Sequence, residues 1–93
     1  MRIIWSQTAI SNLIDIRRYV ELDKPEAAHR LAQRILVSVG RLAQHPHLGR
    51  PGRDPGTREL IVAGTPYIIP YRIHRGHLAI LAVLRTAQDR PED

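Results

Sequence analysis

The chain has no cysteine and no phenylalanine, and its single lysine is Lys24. The absence of thiols excludes disulfide bridges and thiolate metal sites. Aromatic residues make up only 4% of the sequence, so a core built from it must be mainly aliphatic. No hydrophobic run reaches the length of a membrane span, and the N-terminal stretch lacks the shape of a signal peptide. These features predict a cytoplasmic protein without a membrane segment.

Arginine dominates the charge of the chain. The 93 residues carry a formal net charge of +5, and the sequence pI is about 10.7. The planar guanidinium group suits phosphate and carboxylate, which favours an anionic partner. A basic surface that only keeps the protein in solution explains the same charge equally well. The length predicts one domain over residues 1–93, with a single core.

The stretch from Thr57 to Arg85 predicts a three-stranded antiparallel meander. Its three runs, TRELIV, YIIPYRI and LAILAVLR, are rich in branched aliphatic residues and tyrosine, and each break between them contains a glycine. Pro70 has no N–H, so we expect it at a bulge or where no ladder partner is required. The last run, Leu78–Arg85, is almost wholly apolar and predicts an interior strand.

The first half of the chain predicts a short strand and two helices. Arg2–Trp5 is β-prone, and Ser6 after it is a favourable N-cap for a helix over Gln7–Glu21. A second helix is predicted from Pro25 to about Gln44. Both helices carry an apolar stripe of helical period: Ala9, Leu13, Ile16 and Val20 in the first, and Ala28, Leu31, Ala32, Ile35, Val39 and Leu42 in the second.

The breaks that follow the two predicted helices determine how the predicted elements are connected. Asp23, with Glu26 three residues later, resembles a capping box, and we interpret Gly40 as permitting a close approach of the second helix to the sheet. The short break predicts an antiparallel helical hairpin, and the Pro/Gly-rich stretch His45–Gly56 predicts a loop that can carry function. The predicted order is β-α-α-β-β-β, an α+β fold with a helical hairpin packed on one face of a four-stranded, mainly antiparallel sheet.

Few patterns indicate catalysis. The closely spaced histidines, His45 with His47 and His74 with His77, lack a third ligand nearby, so we interpret them as solvated loop residues and not as a metal site. There is no nucleophile motif, no pair of carboxylates at a catalytic spacing and no P-loop. The sequence therefore predicts neither a metal nor a cofactor.

The remaining candidates for an anion-binding or target-binding site are five arginines: Arg50, Arg53, Arg58, Arg72 and Arg85. Pairing of the strands as a meander is expected to bring Arg58, Arg72 and Arg85 towards one region of the sheet. Such a cluster could hold RNA phosphates or stabilise the transition state of a cleavage. The alternative is ordinary ion pairing of exposed arginines, here with Glu59, Asp54 or Asp89.

Motifs along nearly the whole chain resemble those of the RelE/ParE superfamily of type II toxins. The most specific are the segments L-G-R, T-R-E-L and P-Y-R-I, in that order, which begin at Leu48, Thr57 and Pro70. The resemblance implies the same fold and a bacterial toxin that a cognate antitoxin neutralises. An acidic, amphipathic antitoxin segment would suit this basic domain. ParE-like members inhibit DNA gyrase, whereas RelE-like members cut mRNA on the ribosome without a metal.

The chain departs from the nuclease pattern of this superfamily. Many relatives carry histidine where Arg85 stands, and residues 85–90 contain neither tyrosine nor histidine. Arginine is no general acid near neutral pH, because its pKa lies above about 12. The loop also lacks the lysines of RelE-like nucleases. The resemblance therefore implies a ParE-like gyrase inhibitor more than an enzyme.

Two alternatives stay open at the level of sequence. One is a RelE-like endoribonuclease that uses Arg58, Arg85, Arg50 and Tyr71, with Tyr71 or His47 in place of the missing acid. The other is a toxin that has lost its activity and only binds its antitoxin.

Overall fold

The computed structural model describes residues 1–86, which form two helices and six strands. The elements are β1 (Arg2–Trp5), α1 (Gln7–Glu21), α2 (Pro25–Gly40) with a 3-10 turn at Arg41–Ala43, β2 (Arg50–Pro51), β3 (Arg58–Ile61), β4 (Tyr67–His74), β5 (His77–Ile80) and β6 (Leu84–Arg85). The predicted α+β order is confirmed, and β2 and β6 are short additions to the four predicted strands. The predicted partner Asp89 lies outside the described residues.

The strands form one mixed sheet. Their order is β1–β5–β4–β3–β2, and β6 pairs with the beginning of β4. β1 runs parallel to β5, with Ile3 opposite Leu78, and the other pairings among residues 1–86 are antiparallel. β5 thus lies between two neighbours, as its apolar sequence predicts. The chain's first strand lies beside one of its last.

Helix α1 begins where the sequence predicts. The Ser6 Oγ accepts a hydrogen bond of 3.0 Å from the N–H of Ala9, the N-cap interaction expected of this serine. Ala9 is fully buried, and Leu13 and Ile16 pack against the core, so the predicted apolar stripe faces the sheet. Neither helix is long and apolar enough to cross a membrane within the described range 1–86.

Helix α2 corrects two predictions. Its N-cap is Lys24, which makes no side-chain cap, so the capping box of Asp23 and Glu26 does not form. The Asp23 N–H still bonds to Val20 O at the end of α1, so Lys24 and not Asp23 takes the N-cap position before Pro25. The close approach predicted for Gly40 is also wrong. A Cβ there would meet nothing within 4 Å, because this position faces away from the sheet.

The core lies between the helical hairpin and one face of the sheet. Full burial of an aliphatic side chain contributes about 1.5–3 kcal/mol relative to exposure, so this layer supplies most of the stabilisation. Tyr71 is the largest side chain that is fully buried. The buried members of the layer are Ala9, Ile35, Val39, Leu42, Leu60, Val62, Tyr67, Ile69, Tyr71, Leu78, Ile80 and Val83.

The predicted last strand is interrupted opposite Pro70. Tyr71 pairs with Ile80 but Ile68 pairs with Leu84, so two residues of β4 face three residues between β5 and β6. An extra residue in one strand of a pair is a β-bulge. The sequence predicts Pro70 either at a bulge or at a position without a ladder partner, and the first of these is found. The prediction of a single continuous strand over Leu78–Arg85 is therefore wrong.

Helix α1 supplies the hydrogen bonds that the bulge lacks. Leu81 N–H donates to Pro70 O at 2.9 Å, but proline has no N–H to return the bond. The Ser6 hydroxyl donates to Leu81 O instead, at 3.0 Å, and the side-chain oxygen of Asn12 accepts from the N–H of Val83 at 3.1 Å. The start of α1 is thereby fixed to the sheet by polar contacts.

Candidate interaction surface

Residues 45–56, here called the arginine loop because they carry Arg50 and Arg53, are held by three consecutive residues at the start of β3. Thr57 donates through its hydroxyl to Asp54 O at 2.6 Å, and its carbonyl accepts from Gly52 N–H at 2.8 Å. Because neighbouring strand residues point to opposite faces, Arg58 and Glu59 hold different parts of the loop. The T-R-E motif thus organises the loop.

Tyr71 and Arg58 together hold the beginning of the arginine loop. The Tyr71 hydroxyl donates to Pro46 O at 2.7 Å and accepts from Gly49 N–H at 2.8 Å. Arg58, which lies opposite Tyr71 in the β3–β4 pairing, donates through Nη1 to Gly49 O at 2.6 Å and to His47 O at 3.4 Å. The Tyr71 hydroxyl and Arg58 Nη1 are therefore both bonded to backbone groups of the loop.

Gly49 is required by this arrangement. A Cβ at this position would lie 2.7 Å from the Tyr71 ring and hydroxyl and 2.9 Å from Glu59 O. No larger residue fits there unless the loop backbone moves. The L-G-R motif therefore reflects close packing of the backbone on Tyr71.

The Tyr71 hydroxyl stays protonated well into the alkaline range. Burial raises its pKa above the ordinary value of 10.0, and the hydrogen bond from Gly49 N–H and the positive charge of Arg58 offset this only in part. The side chain is 0% exposed. A buried hydroxyl with both partners in place has no access to a substrate, so the geometry does not support Tyr71 as the general acid of a nuclease.

Glu59 holds the middle of the arginine loop from the other side. Its carboxylate pairs with Arg50 Nη2 at 3.3 Å and accepts from the Arg53 N–H at 3.2 Å. Ion pairing of an arginine with Glu59, which the sequence left as the alternative to an anion-binding role, is thus observed for Arg50. The side chain of Arg53 is exposed on this fixed loop, which presents its guanidinium to the surroundings.

The predicted convergence of Arg58, Arg72 and Arg85 is not found. Arg58 lies opposite Tyr71, whereas Arg85 lies opposite Tyr67, four positions away along β4. Arg72 follows Tyr71 directly and so points to the other face, where its guanidinium lies beside Gly56. The register of β3 and β6 on β4 sets these positions. The structure groups Arg50, Arg53 and Arg58 at the arginine loop instead.

The histidines do not form a metal site in the described part of the chain. His74 and His77 are opposite each other across the β4–β5 turn, and their rings stack with centroids 5.0 Å apart. Within residues 1–86 there is no group of three or more histidine, aspartate or glutamate side chains that could hold a metal ion.

A large groove that the sequence did not indicate lies between the outer side of α2 and the edge of β3. Its volume is about 1050 Å³. One wall carries Arg30 and Arg34 of α2 and Arg41 of the 3-10 turn that follows it, all exposed on the side away from the core. The other wall is the end of β3 with Ile61. In the sequence, the apolar Val37 among those arginines marks only the helix wall and gives no sign of the second wall.

The groove is apolar at its base and cationic on its wall. Val37, Leu48 and Ile61 line it and remain 55%, 51% and 54% exposed. Arg34 reaches across its end, where Nη1 donates to Ala63 O at 3.2 Å and the guanidinium packs on Gly64. An apolar floor beside a row of arginines is suited to an amphipathic, acidic protein segment.

Comparison with known proteins gives consistent matches along the chain. A family model described as the ParE toxin of the type II toxin-antitoxin system parDE matches residues 3–90. The Sinorhizobium fredii protein Y4kP, named as a candidate toxin, is 47% identical over 98% of this chain and 94% of its own length. Toxin RelE2 of Caulobacter vibrioides is 32% identical, over 94% of this chain and 97% of its own length.

The fold also matches a solved structure. A chain of the chromosomal ParDE toxin-antitoxin system from P. aeruginosa superposes with a TM-score of 0.85 at 30% identity, covering 91% of this chain and 95% of that one. The similarity thus covers nearly the whole chain.

Proposed function

Because the chain belongs to the ParE toxin family of type II toxin-antitoxin systems, we propose that it arrests growth by inhibiting DNA gyrase in the cytoplasm and that a cognate antitoxin neutralises it. It acts by binding, without catalysing a reaction. The exposed guanidinium of Arg53 on the fixed arginine loop contacts the target, and Arg50 beside it supports the same surface.

The observation that carries this proposal is the use of Tyr71 and Arg58 inside the protein. A metal-independent nuclease needs a proton donor and a cation that both reach the scissile phosphate. The Tyr71 hydroxyl is buried and bonded to Pro46 and Gly49, and Arg58 is bonded to Gly49 and His47. Of the four residues of the nuclease alternative, Tyr71 thus has no free hydroxyl to offer as a proton donor, and Arg58 is engaged through Nη1.

A supercoiling assay with purified gyrase tests the proposal. The protein is expected to inhibit supercoiling or to trap cleaved DNA, and Arg53→Ala is expected to weaken this about tenfold, equivalent to about 1.4 kcal/mol. Arg17→Ala on the exposed side of α1 is the matched control and should leave inhibition unchanged. Gyrase that works normally at saturating protein would refute the proposal.

A second candidate function is ribosome-dependent cleavage of mRNA. Two observations favour it: the relative named Toxin RelE2 is 32% identical, and exposed His47 lies beside Arg58, which bonds to its carbonyl. In this mechanism the His47 imidazole is the proton donor and Arg50 stabilises the developing charge. Mapping of transcript ends after induction distinguishes this function from gyrase inhibition, because a nuclease yields new cuts at codon positions. His47→Ala is expected to remove these cuts.

A further inference from the structure

We propose that the pocket between α1 and β6, here called the α1–β6 pocket, binds a guanine nucleotide. The inference goes beyond the proposed function, because it concerns a ligand of the toxin itself and requires neither gyrase nor an antitoxin. The volume of the pocket is about 380 Å³, within the usual range of small-molecule sites, about 300–1,000 Å³. The lining residues that carry the argument are Asn12, Asp15, Tyr19, Tyr67, Val83 and Arg85.

The Tyr67 side chain provides the first evidence for a ligand. Its ring belongs to the core, and only 6% of the residue is exposed. The hydroxyl makes no hydrogen bond within residues 1–86, yet no buried side-chain oxygen in that range lacks a partner. The hydroxyl oxygen must therefore reach the surface, and Tyr67 lines the α1–β6 pocket. A polar group that is nearly buried but faces an open pocket is available to a ligand.

Arg85 supplies a cation to the same pocket. It lies directly opposite Tyr67 in the pairing of β4 with β6, so both side chains extend from the same face of the sheet. Arg85 is exposed, and its guanidinium forms no ion pair or hydrogen bond with another side chain of the described part of the chain. The planar guanidinium can therefore donate two hydrogen bonds to a phosphate group, and the Tyr67 hydroxyl can donate a third.

Asp15 on α1 limits the choice of base. Its carboxylate lines the pocket, is exposed and forms no ion pair among residues 1–86. An ionised carboxylate only accepts hydrogen bonds, so the group that faces it must donate. Guanine presents two adjacent donors, N1–H and the 2-amino group, to the two oxygens of a carboxylate. In adenine, cytosine and uracil, an acceptor lies beside the donor on the corresponding edge and is repelled by the carboxylate.

The α1 wall also offers a surface for the plane of a base. Asn12, Asp15 and Tyr19 follow one another by three and four residues, so they share one side of the helix and span about 10 Å. Tyr19 is 71% exposed, so its ring can stack on a base. The Asn12 side-chain oxygen is fixed by the Val83 N–H at 3.1 Å, which leaves its amide nitrogen to donate to the ligand. A smaller zwitterion, such as an amino acid, would leave the Tyr19 ring uncovered.

Isothermal titration calorimetry of the full chain with guanosine monophosphate (GMP) tests the proposal. We expect saturable binding, and at least about tenfold weaker binding of AMP, CMP and UMP, because Asp15 meets an acceptor in each. Guanosine lacks the phosphate that Arg85 binds and should also bind at least about tenfold more weakly than GMP. Absence of GMP binding would overturn the proposal, and so would equal affinity for the four nucleotides and inorganic phosphate.

Tyr67→Phe is the sharpest variant, because it removes only a hydroxyl that has no partner within residues 1–86. The Kd for GMP should rise at least about tenfold while the thermal transition stays unchanged. Arg85→Ala should abolish the difference between GMP and guanosine, whereas Arg17→Ala, on another side of α1, should retain it. Asp15→Asn should bring the Kd values of GMP and AMP within about threefold, whereas Asp23→Asn should not. An unchanged Kd in Tyr67→Phe would contradict the assigned site.

The nucleotide can be free or part of a nucleic acid strand, since both present the same base and phosphate. A short oligothymidylate with a single guanine is the probe for the strand. Tighter binding of this strand than of GMP, lost when thymine replaces the guanine, assigns the pocket to single-stranded nucleic acid. Tighter binding of GMP assigns it to the free nucleotide. All these measurements are made without gyrase, so a chain that inhibits gyrase but binds neither probe refutes only the nucleotide site.

Discussion

The hydroxyl of Tyr71 has two partners, and both are backbone groups of the arginine loop. Tyr71→Phe leaves Gly49 N–H and Pro46 O without these partners in a buried place, so we expect the free energy of unfolding to fall by about 1–3 kcal/mol. Chemical denaturation measures this. Tyr19→Phe, at a position 71% exposed, is the control and should change stability by less than about 0.5 kcal/mol.

The raised pKa of Tyr71 also predicts how stability changes with pH. Below the unfolded-state pKa, near 10.0, the hydroxyl is protonated in both states and its contribution is fully present. As the pH rises towards the folded-state pKa, the unfolded state loses its proton first, so stability falls. Denaturation curves between neutral and strongly alkaline pH should show this decline in the native chain and a smaller one in Tyr71→Phe. Equal declines would contradict the assignment.

Substitution by alanine is expected to change the free energy of unfolding in opposite directions at Gly49 and at Gly40. Gly49→Ala places a methyl group 2.7 Å from the Tyr71 ring, so we expect a loss of at least about 2 kcal/mol in unfolding free energy. Gly40→Ala meets nothing within 4 Å at the end of α2 and should stabilise by about 0.5–1 kcal/mol. Thermal melts of both variants check this, and stabilisation by Gly49→Ala would show that the loop does not rest on Tyr71.

At the scale of elements, Ser6 joins α1 to the bulge between β5 and β6. Its hydroxyl caps the helix and also donates a hydrogen bond to Leu81 O. Pro70 cannot donate this bond, because it has no N–H. Ser6→Ala loses both, so we expect a decrease of about 1–3 kcal/mol in unfolding free energy. Ser11→Ala, on the exposed side of the same helix, is expected to be neutral or slightly stabilising. Equal effects of the two substitutions would mean that Ser6 does not hold the bulge.

The elements themselves were largely predictable, because their signals are local. Each signal determines the structure of residues close to it in the chain. Examples are the N-cap at Ser6, the periodicity of the helices and the missing N–H of Pro70. The capping box predicted at Asp23 shows where local signals fail. The Asp23 N–H is already bonded to Val20 O at the end of α1, so Asp23 is not the N-cap of α2. The positions of Arg72 and Arg85 depend on strand register. Register follows from packing of whole faces, and it cannot be derived from the spacing of single arginines.

For the molecule as a whole, the net charge of +5 predicts salt-sensitive binding of an acidic partner. Raising the salt concentration from about 0.1 M to about 1 M shortens the Debye length from about 10 Å to about 3 Å. We expect the affinity for the antitoxin to fall over this range, mainly through slower association. Surface plasmon resonance measures both rates. A Kd independent of salt would indicate that the apolar contacts alone hold the complex.

The groove between α2 and β3 could not be found from the sequence, because its two walls are distant in the chain. Arg30 and Arg34 are exposed on the outer face of α2. Their nearness to the edge of β3 at Ile61 arises only when the hairpin packs on the sheet. The candidate site was therefore predicted as a set of residue types, whereas its geometry required the fold.

Strand β1 cannot pair until β5 has been made. Arg2–Trp5 is synthesised before both helices, but its parallel partner His77–Ile80 is synthesised only after them. A nascent chain, or one ended early by a premature stop codon, has no neighbour for its first strand and no closed core. Chains that stop before His77 are therefore expected to lack the closed fold and, with it, the proposed inhibitory activity.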